Sequence, residues 1–258
     1  WQSLWRKGAF PMEPIERYLR HYQERFWLLH EDYPFFQVPA MGKATSYLVA
    51  KLNGELSESN NKTRLFPQRT TTAKERLSYS EAARWLLHVN AFDDTAAKPT
   101  TKGLPSPGAG WLGKLGLVFA VGSNLFETLL LNLVLLRDGA DESWPSGHPV
   151  WEQSQVKTNE RSEIALPQNL AELYTLQSRR LKLQTDHGSI IGYQLLGGDF
   201  FPKENALVEQ MTFWRNNVKK TDGPPEYIPR RHDPSRQLWR DLPWLLGHAA
   251  SARKPGIV

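Results

Sequence analysis

The sequence predicts a mixed α+β fold, and three observations support that prediction. Apolar residues recur at helical spacing in several segments, two neighbouring segments alternate around a turn as a β-hairpin does, and polar stretches rich in glycine, proline and serine connect them. The strand–helix–strand repeat of a doubly wound parallel sheet is not visible. We therefore expect one irregular α+β domain over residues 1–258, with buried helices, a β-hairpin and long loops.

The amino-acid composition limits the kinds of function that the protein can have. Hydrophobic residues make up 40% of the chain and charged residues 23%, as in ordinary globular proteins. The formal net charge of +5 permits a polyanionic partner without requiring one. Because there is no cysteine, disulfides, thiol nucleophiles and thiolate metal ligands are excluded, which fits a cytoplasmic location. The apolar run over residues 125–136 is too short for a membrane, which needs about twenty residues, and no signal peptide is recognisable.

The first helix is predicted over residues 14–30. Its apolar residues recur every three or four positions: Ile15, Tyr18, Leu19, Tyr22, Phe26 and Leu29. Pro34 disfavours helical backbone at Tyr33, so residues 31–38 are predicted to be extended, with Phe35 and Phe36 in the core.

A polar loop is predicted over residues 54–78, followed by a second helix. Ser78 and Glu81 stand in capping-box register, which places the helix start at Tyr79. The predicted inner face comprises Ala82, Trp85, Leu86 and Val89. Asp93 and Asp94 follow, and because no histidine or third carboxylate stands at metal-ligand spacing, we expect them to cap or turn the chain.

The central stretch, residues 93–134, is the one around which the chain is organised. It begins with lysines, prolines and closely spaced glycines at Gly103, Gly108, Gly110, Gly113 and Gly116. A short strand over residues 117–122 and a buried helix running to Leu136, capped by Asn124 with Glu127, are predicted next. Glycine allows close approach of a backbone and lysine attracts phosphate, so a nucleic-acid contact and an ordinary surface loop both remain open.

The second half alternates connectors with short elements. Trp144 and Trp151 are predicted to hold a polar connector against the core. Residues 169–176 are predicted to form a short capped helix. RLKLQT and SIIGYQLLG predict a β-hairpin around Asp186-His187-Gly188. Residues 212–214 remain open between strand and helix, and a helix is predicted over residues 234–242, after a basic region.

No catalytic or cofactor motif is recognisable. The histidines are scattered, and HExxH, Walker A, GxSxG and dinucleotide-binding patterns are absent. Residues 230–233, Arg-Arg-His-Asp, could form a phosphate clamp or an acid–base pair, but a salt-bridged helix entry is favoured. We expect a protein that is not an enzyme and has no metal or cofactor; a hydrolase using Arg231, His232 and Asp233 is a distant alternative.

Several motifs in fixed order resemble one known family. They are YPFFQ (33–37), EAARWLLHVNAFDDTAAK (81–98), KGLPSPGAGWLGKLG (102–116), NLFETLLLNLVL (124–135), EQMTFWR (209–215) and RHDPSRQLWR (231–240). Together they resemble the CasA family, the large subunit of the type I-E CRISPR Cascade complex. The resemblance covers nearly the whole chain and implies a partial amino-terminal domain, without the family's carboxy-terminal four-helix bundle.

The resemblance implies a non-catalytic DNA-recognition subunit of an RNA-guided surveillance complex. Such a subunit reads the protospacer-adjacent motif in double-stranded DNA, aids opening of the target duplex and recruits a helicase–nuclease. The implied partners are target DNA, the CRISPR guide RNA and other Cascade subunits, with no membrane. The alternative is a module that serves mainly assembly, docking the guide RNA and backbone subunits through the loop over residues 54–78.

The resemblance also implies site residues. The family's glycine loop corresponds to residues 103–110, so DNA contacts are expected at Lys102, Gly103, Gly108 and Gly110. The loop that touches the guide and the motif-proximal DNA corresponds to residues 60–68, with Asn61, Arg64, Leu65 and Phe66 as its candidates. Phe200 stands about where the family has a lysine finger, and Lys203, three residues later, is the candidate for that role.

Overall fold

The computed structural model describes residues 1–54, 68–69, 74–92, 104, 109–136, 143, 145–159, 167–199, 209–219, 222–223, 226–248 and 252–257. Within these ranges, the helices are α1 Gln2–Lys7, α2 Met12–His21, α3 Val49–Leu52, α4 Tyr79–Ala91, α5 Leu125–Leu131, α6 Leu170–Thr175 and α7 Leu242–Leu245. The strands are β1 Thr45–Leu48, β2 Arg179–Asp186, β3 Ser189–Gly197, β4 Trp214–Asn216, β5 Tyr227–Pro229 and β6 Ala252–Arg253. The predicted α+β class is confirmed. That residues 1–258 form one domain stays a prediction.

The first sheet is built on the predicted hairpin. Its antiparallel order is β1-β3-β2, and β2 and β3 are joined by His187 and Gly188. Both turn residues have positive φ, 43° and 72°, as a two-residue hairpin turn of the favoured hand requires. The hairpin prediction is therefore confirmed.

Helix α4 covers this sheet and closes the larger core. Ser78 accepts a hydrogen bond from the Glu81 amide at 3.3 Å, so the predicted cap is confirmed. Leu86 is fully buried, and Trp85 packs at the edge of the core. The buried cluster comprises Val49, Leu52, Leu77, Ala82, Leu86, Val89, Leu181, Leu183, Ile190, Tyr193 and Leu195.

The second sheet is assembled from three short strands within residues 214–253. Its antiparallel order is β5-β4-β6, and the central strand β4 resolves the strand-or-helix question at Trp214. Trp214, Trp111, Leu115 and Leu173 form a second, smaller buried cluster. The predicted capped helix is α6, whose Asn169 side chain accepts from the Glu172 amide at 3.0 Å.

The amino-terminal predictions need correction. The predicted helix over residues 14–30 is α2, which ends at His21 and gives way to a 3₁₀ turn, Gln23–Phe26. Residues 31–38 are turned rather than extended, because the buried Gln37 side chain donates to Leu28 O at 2.6 Å and accepts from the Leu183 amide at 2.8 Å. Phe36 is buried, as predicted.

Trp151 holds its connector against the amino-terminal aromatic residues, as predicted. Its ring centroid lies 5.6 Å from that of Phe26, and its indole N–H donates to the Tyr18 hydroxyl at 2.7 Å. Trp144 lies outside the described residues.

The elements that follow the glycines also differ from prediction. Asn124 caps α5, accepting from the Glu127 amide at 2.9 Å, but the helix ends at Leu131, well before Leu136. Leu130 is its only buried residue, so the prediction of a buried helix is wrong. No strand is formed over residues 117–122; instead the Asn132 side chain hydrogen-bonds both Ala120 N, at 3.0 Å, and Ala120 O, at 2.7 Å.

The helix predicted over residues 234–242 begins later. Asp233 Oδ1 accepts from the Ser235 amide at 2.9 Å and from its hydroxyl at 2.7 Å, which favours a turn at Pro234 over a helix start. A 3₁₀ turn, Leu238–Asp241, then leads into α7.

Candidate nucleic-acid interface

Of the site residues predicted from the sequence, Gly110 lies within the described part of the chain. The others lie outside the described residues: Asn61, Arg64, Leu65, Phe66, Lys102, Gly103, Gly108 and Lys203. Asp93 and Asp94 also lie outside them. We call residues 109–116, the second half of the glycine stretch, the glycine segment. This segment and the residues that contact it form the candidate interface.

The glycine segment is anchored on the carboxyl end of α4. A Cβ added at Gly110 would lie 2.5 Å from Asn90 O and Ala91 C, and one at Gly113 would lie 2.7 Å from Phe92 O. Such distances are far inside van der Waals contact, so the absence of a side chain at both positions is required by internal packing. A DNA contact at Gly110 stays a prediction.

The α4 end is in turn tied to the first sheet. Asn90 O accepts from the Ser178 hydroxyl at 2.6 Å, and Asn90 Oδ1 accepts from the Arg179 amide at 3.1 Å. Asn90 is 3% exposed, so these bonds are shielded from water. The glycine segment is thus fixed to the larger core through Asn90, by both its backbone carbonyl and its buried side chain.

The other end of the glycine segment is fixed by residues 230–232. A Cβ at Gly116 would overlap the carbonyl oxygen of Arg230. Arg231 Nε is 3.5 Å from Lys114 O, and His232 Nε2 is 2.8 Å from Leu117 O. These contacts span more than a hundred residues of sequence, so helix and strand patterns could not reveal them. The three-residue spacing of Gly110, Gly113 and Gly116 was the available signal for close backbone packing.

For residues 230–233 the expected salt bridge is confirmed, but the expected helix entry is wrong, because the chain turns at Pro234 and the next element starts at Leu238. Arg230 pairs with Asp241 at 2.6 Å, and this hydrogen bond is the first cause that holds the pKa of the Asp241 carboxyl below its usual range. The hydrogen bonds from Ser235 likewise lower the pKa of Asp233. Since His232 contacts Leu117 O and Asp233 is bonded to Ser235, the two do not form an acid–base pair in this structure.

A basic surface borders the glycine segment. Arg231, Arg236 and Arg240 are all exposed, and the Arg240 guanidinium lies over the ring of Trp239, 5.1 Å from its centroid. Trp239 is itself 65% exposed. Asp241 pairs with Arg230 at 2.6 Å and with Arg236 at 3.6 Å, and the exposed Asp233 is a second acidic residue on this surface. Exposed guanidinium groups beside an exposed aromatic ring can bind phosphates and stack on bases.

The described residues contain neither a metal-binding cluster nor a membrane-spanning helix. No group of three or more histidine or acidic side chains among them could hold a metal ion. Among the same residues, no helix has both the length and the apolar character needed to cross a membrane.

Comparison with known proteins gives a consistent result. A family model, CRISPR-associated protein Cse1, matches residues 1–258. The crystal structure of Thermobifida fusca Cse1 is similar, with a TM-score of 0.79 and 34% identity over 96% of this chain and 50% of that one. The CRISPR-associated protein CasA/Cse1 of Thermus thermophilus is 29% identical over 245 residues, 94% of this chain and 46% of its relative.

A more distant likeness concerns the fold alone. One chain in a structure of a CRISPR RNA-guided surveillance complex, pre-nicking, aligns with a TM-score of 0.66 and 21% identity, over 99% of this chain and 50% of that one. The chain thus spans about half the length of the relatives it matches. With a family model matching from the first residue to the last, the chain belongs to the CRISPR-associated Cse1 family.

Proposed function

We propose that this chain is a DNA-recognition part of an RNA-guided CRISPR surveillance complex. In this role it reads the protospacer-adjacent motif in double-stranded DNA, aids opening of the duplex beside the guide RNA, and helps recruit a helicase–nuclease without catalysing a reaction itself. The observation that carries the proposal is the match to the Cse1 family over residues 1–258. Base pairing with the guide would read the target, so the protein needs to read only a short flanking motif.

The anchored glycine segment supports this proposal physically. Its backbone is fixed by α4 on one side and by Arg230 and His232 on the other. This support would lower the entropic cost of holding residues 109–116 beside a bound duplex, and the absence of a side chain at Gly103 and Gly108 would allow close approach to its groove. The nearby arginines would contribute phosphate contacts that position the duplex but carry no sequence information.

The remaining predicted contacts belong to the same proposal. Lys102 and Lys203 would contact DNA, and Asn61, Arg64, Leu65 and Phe66 would contact the guide RNA and the motif-proximal DNA. Other Cascade subunits would complete the complex, and part of the affinity would come from them.

The test is DNA binding by the chain added to a surveillance complex that lacks its large subunit. Duplexes with and without a flanking motif are compared across a salt series, with wild type and Gly108→Asp. We expect motif-dependent binding that Gly108→Asp reduces roughly tenfold or more, because a carboxylate there would repel phosphate and keep the backbone from the groove. A Gly108→Asp variant with unchanged Tm and unchanged binding would refute the role of this loop.

A second candidate function, assembly, is favoured by the exposed apolar surface around α5. Leu125 is 72% exposed and Leu129 51%, and Phe119 and Val121 lie on the adjoining segment, 58% and 75% exposed. Apolar patches of this kind commonly mark contacts with other proteins. If assembly is the main role, deleting residues 55–67 or changing Leu125 and Leu129 to serine should prevent incorporation into the complex. Normal incorporation of both variants would refute this candidate.

A further inference from the structure

One tryptophan of the basic surface has an oriented ring that faces solvent. Trp239, in the 3₁₀ turn Leu238–Asp241, is 65% exposed, and its indole N–H donates to Gln237 Oε1 at 2.6 Å. The exposed Arg240 places its guanidinium over the ring, 5.1 Å from the centroid. A hydrogen bond therefore orients the edge of the ring and a cation lies on one face, while most of the residue stays open to a ligand.

The turn that carries Trp239 is held against the glycine segment by buried contacts. Asp241, the last residue of the turn, is 5% exposed and pairs with Arg230 at 2.6 Å. The carbonyl oxygen of Arg230 packs against Gly116, and its amide donates to Phe213 O at 2.9 Å. The position of Trp239 beside the glycine segment is therefore set by the fold and not by exposed side chains.

The charges around the ring favour a polyanion. Residues 231–240 are all exposed and contain three arginines, Arg231, Arg236 and Arg240, against a single aspartate, Asp233. Guanidinium groups bind phosphates, and arginine beside an exposed aromatic ring is a pairing by which proteins bind single-stranded nucleic acid. A base inside a duplex is already stacked on both faces by its neighbours. An exposed ring can therefore stack on a base only where that base is unpaired.

We infer that Trp239, backed by Arg240, is a stacking site for an unpaired base of single-stranded DNA, with Arg231 and Arg236 contacting the adjacent phosphates. The inference rests on the proposed function for the source of that DNA, since opening a duplex beside the glycine segment would expose unpaired bases there. The site should tolerate any sequence, because every base has an aromatic face.

An apolar protein surface is the rival occupant. Leu238 and Leu242, on either side of the ring in sequence, are 47% and 50% exposed. Apolar residues of this kind commonly mark contacts with other proteins. Such a partner would also have to cover the arginine charges, and burying unpaired charges is costly, so the charge of this surface favours DNA.

The first test measures binding of a labelled oligothymidylate of about twelve nucleotides to the chain by fluorescence anisotropy at low salt. A DNA strand of the same length with abasic sites throughout has the same phosphates and no bases. We expect Trp239→Ala to weaken binding of the intact DNA roughly fivefold to a hundredfold, as loss of a stacking ring does, and to leave binding of the abasic DNA unchanged. Trp239→Phe should keep most of the affinity, because it keeps an aromatic face.

Trp27→Ala is the matched control, since Trp27 is 50% exposed and lies outside the basic surface. It should bind both DNA strands as wild type does. Changing Arg231 and Arg236 together to alanine should weaken both DNA strands equally, because both carry the phosphates. Equal losses on the two DNA strands with Trp239→Ala, no loss on either, or no binding of the oligothymidylate by wild type would overturn the inference.

The second test adds Trp239→Ala to a surveillance complex that lacks its large subunit. Normal incorporation is expected; a variant that binds both DNA strands as wild type does but fails to join the complex would identify a protein as the occupant and overturn the inference. Motif-dependent duplex binding tests the proposed function separately. Motif-dependent binding with no effect of Trp239→Ala on either DNA strand would remove the stacking site alone. Oligothymidylate binding that requires Trp239, without motif dependence, would keep the stacking site and refute the recognition role.

Discussion

The two sheets of this protein are formed in different ways. The first is built around β2 and β3, adjacent strands of eight and nine residues joined by a two-residue turn, and α4 covers it. The second combines strands of only three, three and two residues, all within residues 214–253. The first supplies the larger core, whereas the second carries the backbone that fixes the glycine segment and the basic surface. The candidate interface therefore depends on the region with less local support.

The largest effect is expected from breaking the first region. Leu86 is fully buried in the larger core, so Leu86→Ala should destabilise the chain by about 3 kcal/mol through lost burial and the cavity left behind. Leu87→Ala is the control, because the Leu87 side chain, next to Leu86 in the sequence, is 42% exposed. Denaturant unfolding measures both; equal midpoints for the two variants would contradict the assignment of the core.

A smaller effect is expected where the glycine segment meets the second sheet. Gly116→Ala forces Arg230 O away, which should cost about 2 kcal/mol and loosen the bond from the Arg230 amide to Phe213 O. Hydrogen exchange at the Arg230 amide reports that loss locally. Gly42→Ala is the control, because an added Cβ there meets no atom within 4 Å. Unchanged hydrogen exchange at the Arg230 amide would show that the contact between Gly116 and Arg230 O does not restrict the backbone there.

The smallest effect on stability, and a distinct effect on binding, is expected at the basic surface. Changing Arg231, Arg236 and Arg240 together to alanine should alter the unfolding free energy by about 1 kcal/mol, because Arg231 also contacts Lys114 O and Arg236 lies 3.6 Å from Asp241. It should reduce the slope of log K for duplex binding against log salt by up to about 3, since each phosphate contact contributes about 0.9. Arg17→Ala with Arg20→Ala, exposed and ion-paired on α2, is the control. An unchanged slope would remove the arginines from the interface.

The difference between the sheets also explains which structural elements could be predicted from the sequence. The caps at Ser78, Asn124 and Asn169 and the turn at His187-Gly188 depend on residues within a few positions of each other, so they were predicted correctly. The extent and burial of α5 were not, because an apolar composition does not show whether another element covers the helix.

The candidate site was harder to predict for the same reason. Arg230 and His232 contact the glycine segment although more than a hundred residues of sequence separate them from it, and no periodic pattern predicts such a contact. The family resemblance supplied an expectation for the glycine loop, yet it did not indicate that Gly110 and Gly113 pack against the end of α4. The residues expected to touch DNA and guide RNA, apart from Gly110, lie outside the described residues, so their roles stay predictions.

The side chain of Asn132 has a consequence for molecular recognition. By bonding to both the amide and the carbonyl of Ala120, it takes the place of a neighbouring strand and immobilises a segment that has no sheet around it. Phe119 and Val121, on either side of that residue, are therefore presented from backbone that is already ordered. A molecule that covers them gains the burial of two large apolar side chains while little backbone freedom remains to be lost, so the entropic cost of association there is small.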